Sequence, residues 1–127
     1  LPWLSRRVGA NLRAPDLSSF GLKLLGGRLL PGMNGPAALF MYESASGERV
    51  TFYASRQPEP QTSFRFNVAG QFGAVHWIEN DVGYVMSGPA DKDRLKSIAR
   101  LAYEQIENRA PSRERTDATQ MMSRRGS

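Results

Sequence analysis

The sequence predicts an α+β domain: a mostly antiparallel sheet of about five to seven strands, with an N-terminal and a C-terminal helix packed on it. Three observations carry that expectation. From Pro36 to Gly88 the chain runs as short apolar–polar alternations separated by turn residues. After Gly88-Pro89 the period changes to that of a helix, with Leu95, Ile98, Ala99, Ala102 and Ile106 forming a stripe. At the other end Leu1, Leu4 and Val8 share one helical face while Ser5, Arg6 and Arg7 point away.

Length and composition bound the rest. The chain has 127 residues, enough for one domain with its own core. We place that domain at residues 1–108 and a basic polar tail, expected to be disordered, at 109–127. There is no cysteine, which excludes disulfides and thiolate metal sites. The net charge of +5 is uneven, because residues 109–127 hold five Arg against Glu114 and Asp117. The body, with 12 Lys and Arg against 10 Asp and Glu, is nearly balanced. A nucleic-acid reader would show a basic face interleaved with stacking aromatics on its folded part, and that pattern is weak here. No run reaches the ~20 apolar residues of a membrane-spanning helix. The chain opens on Leu-Pro-Trp without an initiator Met. It is therefore expected to be a piece of a longer protein, with any targeting or membrane segment upstream.

Taken in order, residues 2–8 predict the end of an amphipathic helix, with Pro2 in its first turn and Gly9 just past its end. Trp3 is read as covering the edge of the core, with partner binding as the alternative. Asp16 is placed to cap a short turn over Leu17–Ser19. Phe20–Leu25 and Arg28–Leu30 flank Gly26-Gly27, which predicts a tight hairpin. A phosphate cradle at Gly-Gly-Arg is the other reading, but no Gly-Lys-Ser/Thr follows. Residues 31–36 then read as a loop.

In Ala37–Glu43 both faces are apolar, Ala38, Phe40 and Tyr42 against Leu39 and Met41, which predicts a strand covered on both sides. Ser46-Gly47 is a turn signal. Arg49–Ser55 alternates Val50, Phe52 and Ala54 inward with Thr51, Tyr53 and Ser55 outward. Gln57–Gln61 is too rich in proline for a sheet interior. Phe64, Phe66 and Val68 alternate with Arg65 and Asn67 as a half-exposed strand. Gln71–Ile78 and Val82–Ser87 form a last hairpin around Glu79-Asn80-Asp81, placing Trp77 near Tyr84, with Gly73 and Gly83 leaving room beside the two rings. Asp91 and Asp93 complement the N-terminal end of the final helix.

Chemistry is sparse. His76 is the only imidazole, and a lone histidine without Cys or a second His is a poor metal ligand set; a hydrogen-bonded or an edge histidine is the preferred reading. Ser18, Ser44 and Ser87 lack a Gly-x-Ser-x-Gly setting. Glu79 and Asp81 form a carboxylate pair, but in a turn where solvation is the default. A non-enzymatic domain with no cofactor or metal is expected.

Three stretches taken in order resemble the extracytoplasmic (periplasmic) C-terminal domain of transmembrane anti-sigma factors that control extracytoplasmic-function sigma factors. The first runs Trp3-Leu4-Ser5 to Gly9, then Pro15-Asp16-Leu17-Ser18, Gly21-Leu22 and Gly26-Gly27-Arg28-Leu29-Leu30-Pro31. The second is Pro36-Ala37-Ala38 with Met41-Tyr42-Glu43, Gly47, Arg49-Val50-Thr51 and Tyr53. The third is Trp77-Ile78 to Gly83-Tyr84, with Ser87-Gly88 and the helix starting near Asp91. Order and spacing carry the likeness, over residues 2–107; no single motif is specific. His76 departs from it, since an aromatic is expected before the Trp.

The resemblance implies a regulatory module on the envelope side of the inner membrane, tethered by one upstream helix. Its partner would be a sigma factor, held by a cytoplasmic domain outside this sequence that in such proteins often carries a His/Cys zinc motif. An envelope protein or a protease is the expected partner on this side, with no direct contact to nucleic acid. Two alternatives remain from the residues themselves. One is a soluble binding domain whose basic tail contacts nucleic acid or an acidic surface. The other is a small hydrolase centred on His76.

Overall fold

The computed structural model describes residues 13–109. The expected helix at residues 2–8, Trp3 and the tail beyond 109 lie outside the described residues. Within them, the chain before the sheet makes a single 3-10 turn, Ser18–Phe20. The expected bond from Asp16 to a following backbone N–H is there, its Oδ1 accepting from Ser18 N at 3.0 Å, but the cap position itself is Leu17, one residue later than expected.

Six strands follow: β1 (Leu22–Gly32), β2 (Gly35–Ser44), β3 (Arg49–Arg56), β4 (Arg65–Ala69), β5 (Phe72–Glu79) and β6 (Val82–Pro89). One helix, α1 (Lys92–Arg109), closes the described chain. The strands form one sheet in the order β1-β2-β3-β6-β5-β4, every neighbouring pair antiparallel. The α+β class and the antiparallel sheet thus stand as expected.

The hairpin predicted at Gly26-Gly27 is not there. Both glycines lie inside β1, opposite Met41 and Phe40, and the ladder shifts register between Leu24 and Gly26 so that Leu25 is a bulge. The reversal comes at Met33-Asn34 instead, between the paired Gly32 and Gly35. Gly35 takes φ +112°, a conformation that a side chain would resist. Thus the expected loop at 31–36 is a tight hairpin. The physical reason is pairing length. Turning at Gly35 lets β1 pair β2 from Leu22↔Ser44 to Gly32↔Gly35, a ladder that a turn at Gly26 would cut short.

β2 also differs from its expectation. Ala38, Phe40 and Tyr42 are buried, but Leu39 and Met41 are only half-buried, because no helix covers their face among the described residues. In β3 the predicted alternation holds: Val50, Phe52 and Ala54 are fully buried and Thr51, Tyr53 and Ser55 half-buried. The β5–β6 turn places Asn80 and Asp81 at φ +53° and +63°, as a two-residue hairpin with the sheet's twist requires.

Asp91 starts α1: its Oδ1 accepts from Arg94 N at 3.2 Å, and its carbonyl accepts from Leu95 N at 2.9 Å. The helix buries Leu95, Ile98, Ala99 and Ala102 against β5 and β6. The Leu and Ile side chains contribute about 1.5–3 kcal/mol each by leaving water. A second anchor is Arg94, which bonds Glu48 through Nε (2.9 Å) and Nη2 (2.8 Å), reaches the Phe20 carbonyl at 3.1 Å and lies over the Phe20 ring. It ties α1 to both the β2–β3 turn and the 3-10 turn.

Candidate functional site

Alternation along the strands separates the sheet into two faces with different work. The face under α1 holds the aromatic core. Trp77 and Tyr84 are direct cross-strand partners with rings 5.2 Å apart, and Phe52 stacks on both at 6.1 and 5.7 Å. Phe64 meets Trp77 at 4.7 Å and Tyr103 edge-on at 5.8 Å. Burial pushes the Tyr84 phenol well above the usual tyrosine range, and the carboxylates of Glu107 and Glu79 add to the shift. Tyr103 moves the same way, by burial first and then by the same two carboxylates. The Trp77 indole N–H is buried with no hydrogen-bond partner among the described residues.

Most of the resemblance positions belong to this face or to its seams. The Tyr42 hydroxyl donates to the Pro15 carbonyl at 2.7 Å, and Gln105 grips Asp16 N and O at 2.8 Å each. Leu17 is buried and Leu29 packs against the core, while Arg28 is exposed on β1. The room attributed to Gly73 and Gly83 has a different neighbour. A Cβ at Gly73 would meet Leu95 and Phe66 at 3.1 Å, and one at Gly83 would collide with Gln57. Gly88 is likewise close to Val50 and the Arg49 carbonyl. These positions build the scaffold.

Gly26, Arg28, Tyr53 and Gly83 are the exceptions, because the pairing puts them on the helix-free face. A cross-sheet row there reads Arg28, Leu39, Tyr53, Val85, His76 and Arg65 by direct pairing. At its β4 end, a cavity of about 320 Å³ lies between the sheet and the segment joining β3 to β4. Tyr53, Ser55, Val85 and Ile78 line its floor, and Gln57 and Thr62 its wall. The wall is pinned: Gln57 N donates to the Asp81 carbonyl at 2.7 Å, and Thr62 and Ile78 exchange bonds at 3.1 Å through Thr62 N and Thr62 Oγ1.

His76 is indeed a hydrogen-bonded histidine near the sheet edge, its Nε2 paired with Asn67 Nδ2 at 2.9 Å. Glu79 and Asp81 flank the turn rather than this cavity. Sequence reasoning missed Arg65, Ser55, Gln57 and Thr62 as lining residues. The outward set of β3 and the proline-flanked segment after it were visible, but not that the segment arches over strands distant in the chain. No group of three or more His, Cys, Asp or Glu able to hold a metal occurs among the described residues, and no helix there is long and apolar enough to cross a membrane. No protein family, curated protein or solved structure matches this chain.

Proposed function

We propose that this domain is the envelope-side regulatory module of a membrane-anchored anti-sigma factor, and that it acts in negative control of sigma-factor-dependent transcription without catalysing a reaction. The ordered resemblance over residues 2–107 carries the reading. What supports it is that separate stretches of the resemblance pack on one another. Pro15 of the first bonds Tyr42 of the second, and Gly88 of the third abuts Val50 of the second. Positions far apart in sequence that meet in one core are what a family-wide fold signature requires.

In this reading residues 2–8 form a helix packed on the sheet, the link between the domain and an upstream membrane span. A partner or ligand that binds one arrangement of the domain better than another would shift the population of a protease-sensitive or sigma-releasing state. The test begins with the reading frame upstream of Leu1. An apolar span of ~20 residues and a cytoplasmic domain that co-purifies with a sigma factor are expected. A reading frame with no such span within reach of Leu1 sinks the proposal.

A further inference from the structure

We infer that the cavity under the β3–β4 segment is a binding site for a small organic monocarboxylate: an anionic head on Arg65 and His76, and an apolar body over Val85 and Ile78. The inference concerns the domain by itself and stands apart from the regulatory reading above.

The head group follows from two cross-strand partners. Arg65 and His76 are directly paired on the helix-free face and both line the cavity. With the Asn67 amide nitrogen donating to Nε2, the imidazole proton sits on Nδ1. That N–H and the Arg65 guanidinium have no hydrogen bond or ion pair among the described residues. Two donors on adjacent strands, one of them permanently charged, fit a planar carboxylate.

The body follows from the floor. Val85, Ile78 and the Tyr53 ring are half-buried and face the cavity beside the Ser55 and Thr62 hydroxyls. An apolar group seated there removes further surface from water, and the hydroxyls serve a polar substituent. The volume of about 320 Å³ is at the small end of the range for ligand pockets, roughly 300–1,000 Å³. Glu59 sets the charge. It lines the rim and holds Gln57 Nε2 at 3.2 Å, so a second negative charge on the ligand would be repelled. Strands and the β3–β4 segment line the cavity, with no helix N-terminus in it to hold a phosphate. The wall is already held by three hydrogen bonds to the sheet, so little ordering is left to oppose binding.

The experiment titrates the isotope-labelled 127-residue chain with 3-phenylpropionate and follows backbone amide shifts. Saturable shifts at Ser55, His76 and Val85 are expected, with a Kd of the order of 1 mM for so small a probe. 3-Phenylpropionamide, which keeps the body and loses the charge, should bind at least about tenfold more weakly. Arg65→Gln should weaken 3-phenylpropionate to a similar degree. Arg28→Gln, which removes the same charge from the far end of the same row, should leave it unchanged. Both residues are exposed, and an unchanged amide spectrum away from the substitution confirms that each variant folds. The inference is overturned if no saturable shifts appear. It also fails if Arg28→Gln weakens binding as much as Arg65→Gln, or if inorganic phosphate reproduces the same shifts at equal affinity. The last two results would mean a general positive field.

Discussion

Replacing Trp77 tests the account of the core most sharply, because two of its properties oppose each other. The side chain is 2% exposed and touches Phe52, Phe64 and Tyr84, yet its N–H is buried without a partner among the described residues. Trp77→Ala removes the whole ring, and large-to-small changes of this kind cost about 3–5 kcal/mol. Trp77→Phe keeps an aromatic ring in the stack and loses roughly 40 Å² of buried apolar area, about 1 kcal/mol at ~25 cal/mol per Å². Against that, it deletes a donor whose burial without a hydrogen bond costs about 1–3 kcal/mol.

The second term equals or exceeds the first, so Trp77→Phe should lie between the parent's stability and about 2 kcal/mol above it. Urea unfolding followed by far-UV circular dichroism measures both variants on one scale, independently of tryptophan fluorescence. If Trp77→Phe loses as much as Trp77→Ala, the indole N–H makes a bond that the structure does not contain.

Three more outcomes follow from particular contacts. Arg94→Lys keeps the charge but cannot reproduce two bonds to Glu48 with a third to the Phe20 carbonyl. A loss of about 1 kcal/mol in urea unfolding is expected, and parent-like stability would show that the tie of α1 to the two turns is worth nothing. Gly73→Val should destabilise by about 1–3 kcal/mol through overpacking, since even a Cβ there meets Leu95 and Phe66 at 3.1 Å; a neutral result in the same assay would mean that α1 moves aside freely. The raised Tyr84 phenol sets an alkaline limit. A group whose folded pKa lies above its unfolded value leaves stability intact below the unfolded value, about 10 for tyrosine, and loses it as pH rises beyond. The fall should approach about 1.4 kcal/mol per pH unit from this residue, and Tyr84→Phe should flatten the profile measured by urea unfolding between pH 9 and 11. An unchanged slope would remove Tyr84 as its source.

Local patterns were legible wherever one stretch decides its own structure. Val50, Phe52 and Ala54 declare the buried face of β3, Asp91 marks the start of α1, and Asn80-Asp81 supplies two residues that tolerate positive φ. The miss at Gly26-Gly27 has a different origin. Gly26-Gly27 and the Gly32–Gly35 stretch both satisfy the local chemistry of a turn, and the choice depends on how much of β2 the strand can pair. Pairing length is a property of two segments together. Strand order is similar: β6 lies between β3 and β5, so the β3–β4 connection must pass two strands, and nothing in Gln57-Pro58-Glu59-Pro60 states this. The candidate site needed that crossing as its wall. It also needed the register that sets Arg65 opposite His76 and brings Asn67 within reach of the ring.

The unequal treatment of the two faces bears on how substitutions in this domain should be interpreted. Under α1, residues from β2, β3, β5, β6 and the helix interlock, so a change there acts mainly through the fraction of folded chain. The opposite face has no such cover among the described residues: Leu39, Tyr53 and Val85 remain half-buried in a row bounded by Arg28 and Arg65. Changes there disturb few core contacts and alter what the surface presents. Tyr53 joins the two cases. It belongs to the resemblance, like Tyr42 and Tyr84, yet it lines the cavity and contributes no ring to the aromatic stack. Packing explains why the sheet needs Tyr42, Trp77 and Tyr84. Position 53 has a different setting: its ring lies on the helix-free face and borders the cavity, while its hydroxyl sits beside Gly32 at the β1–β2 hairpin, on the side of β3 away from Arg65.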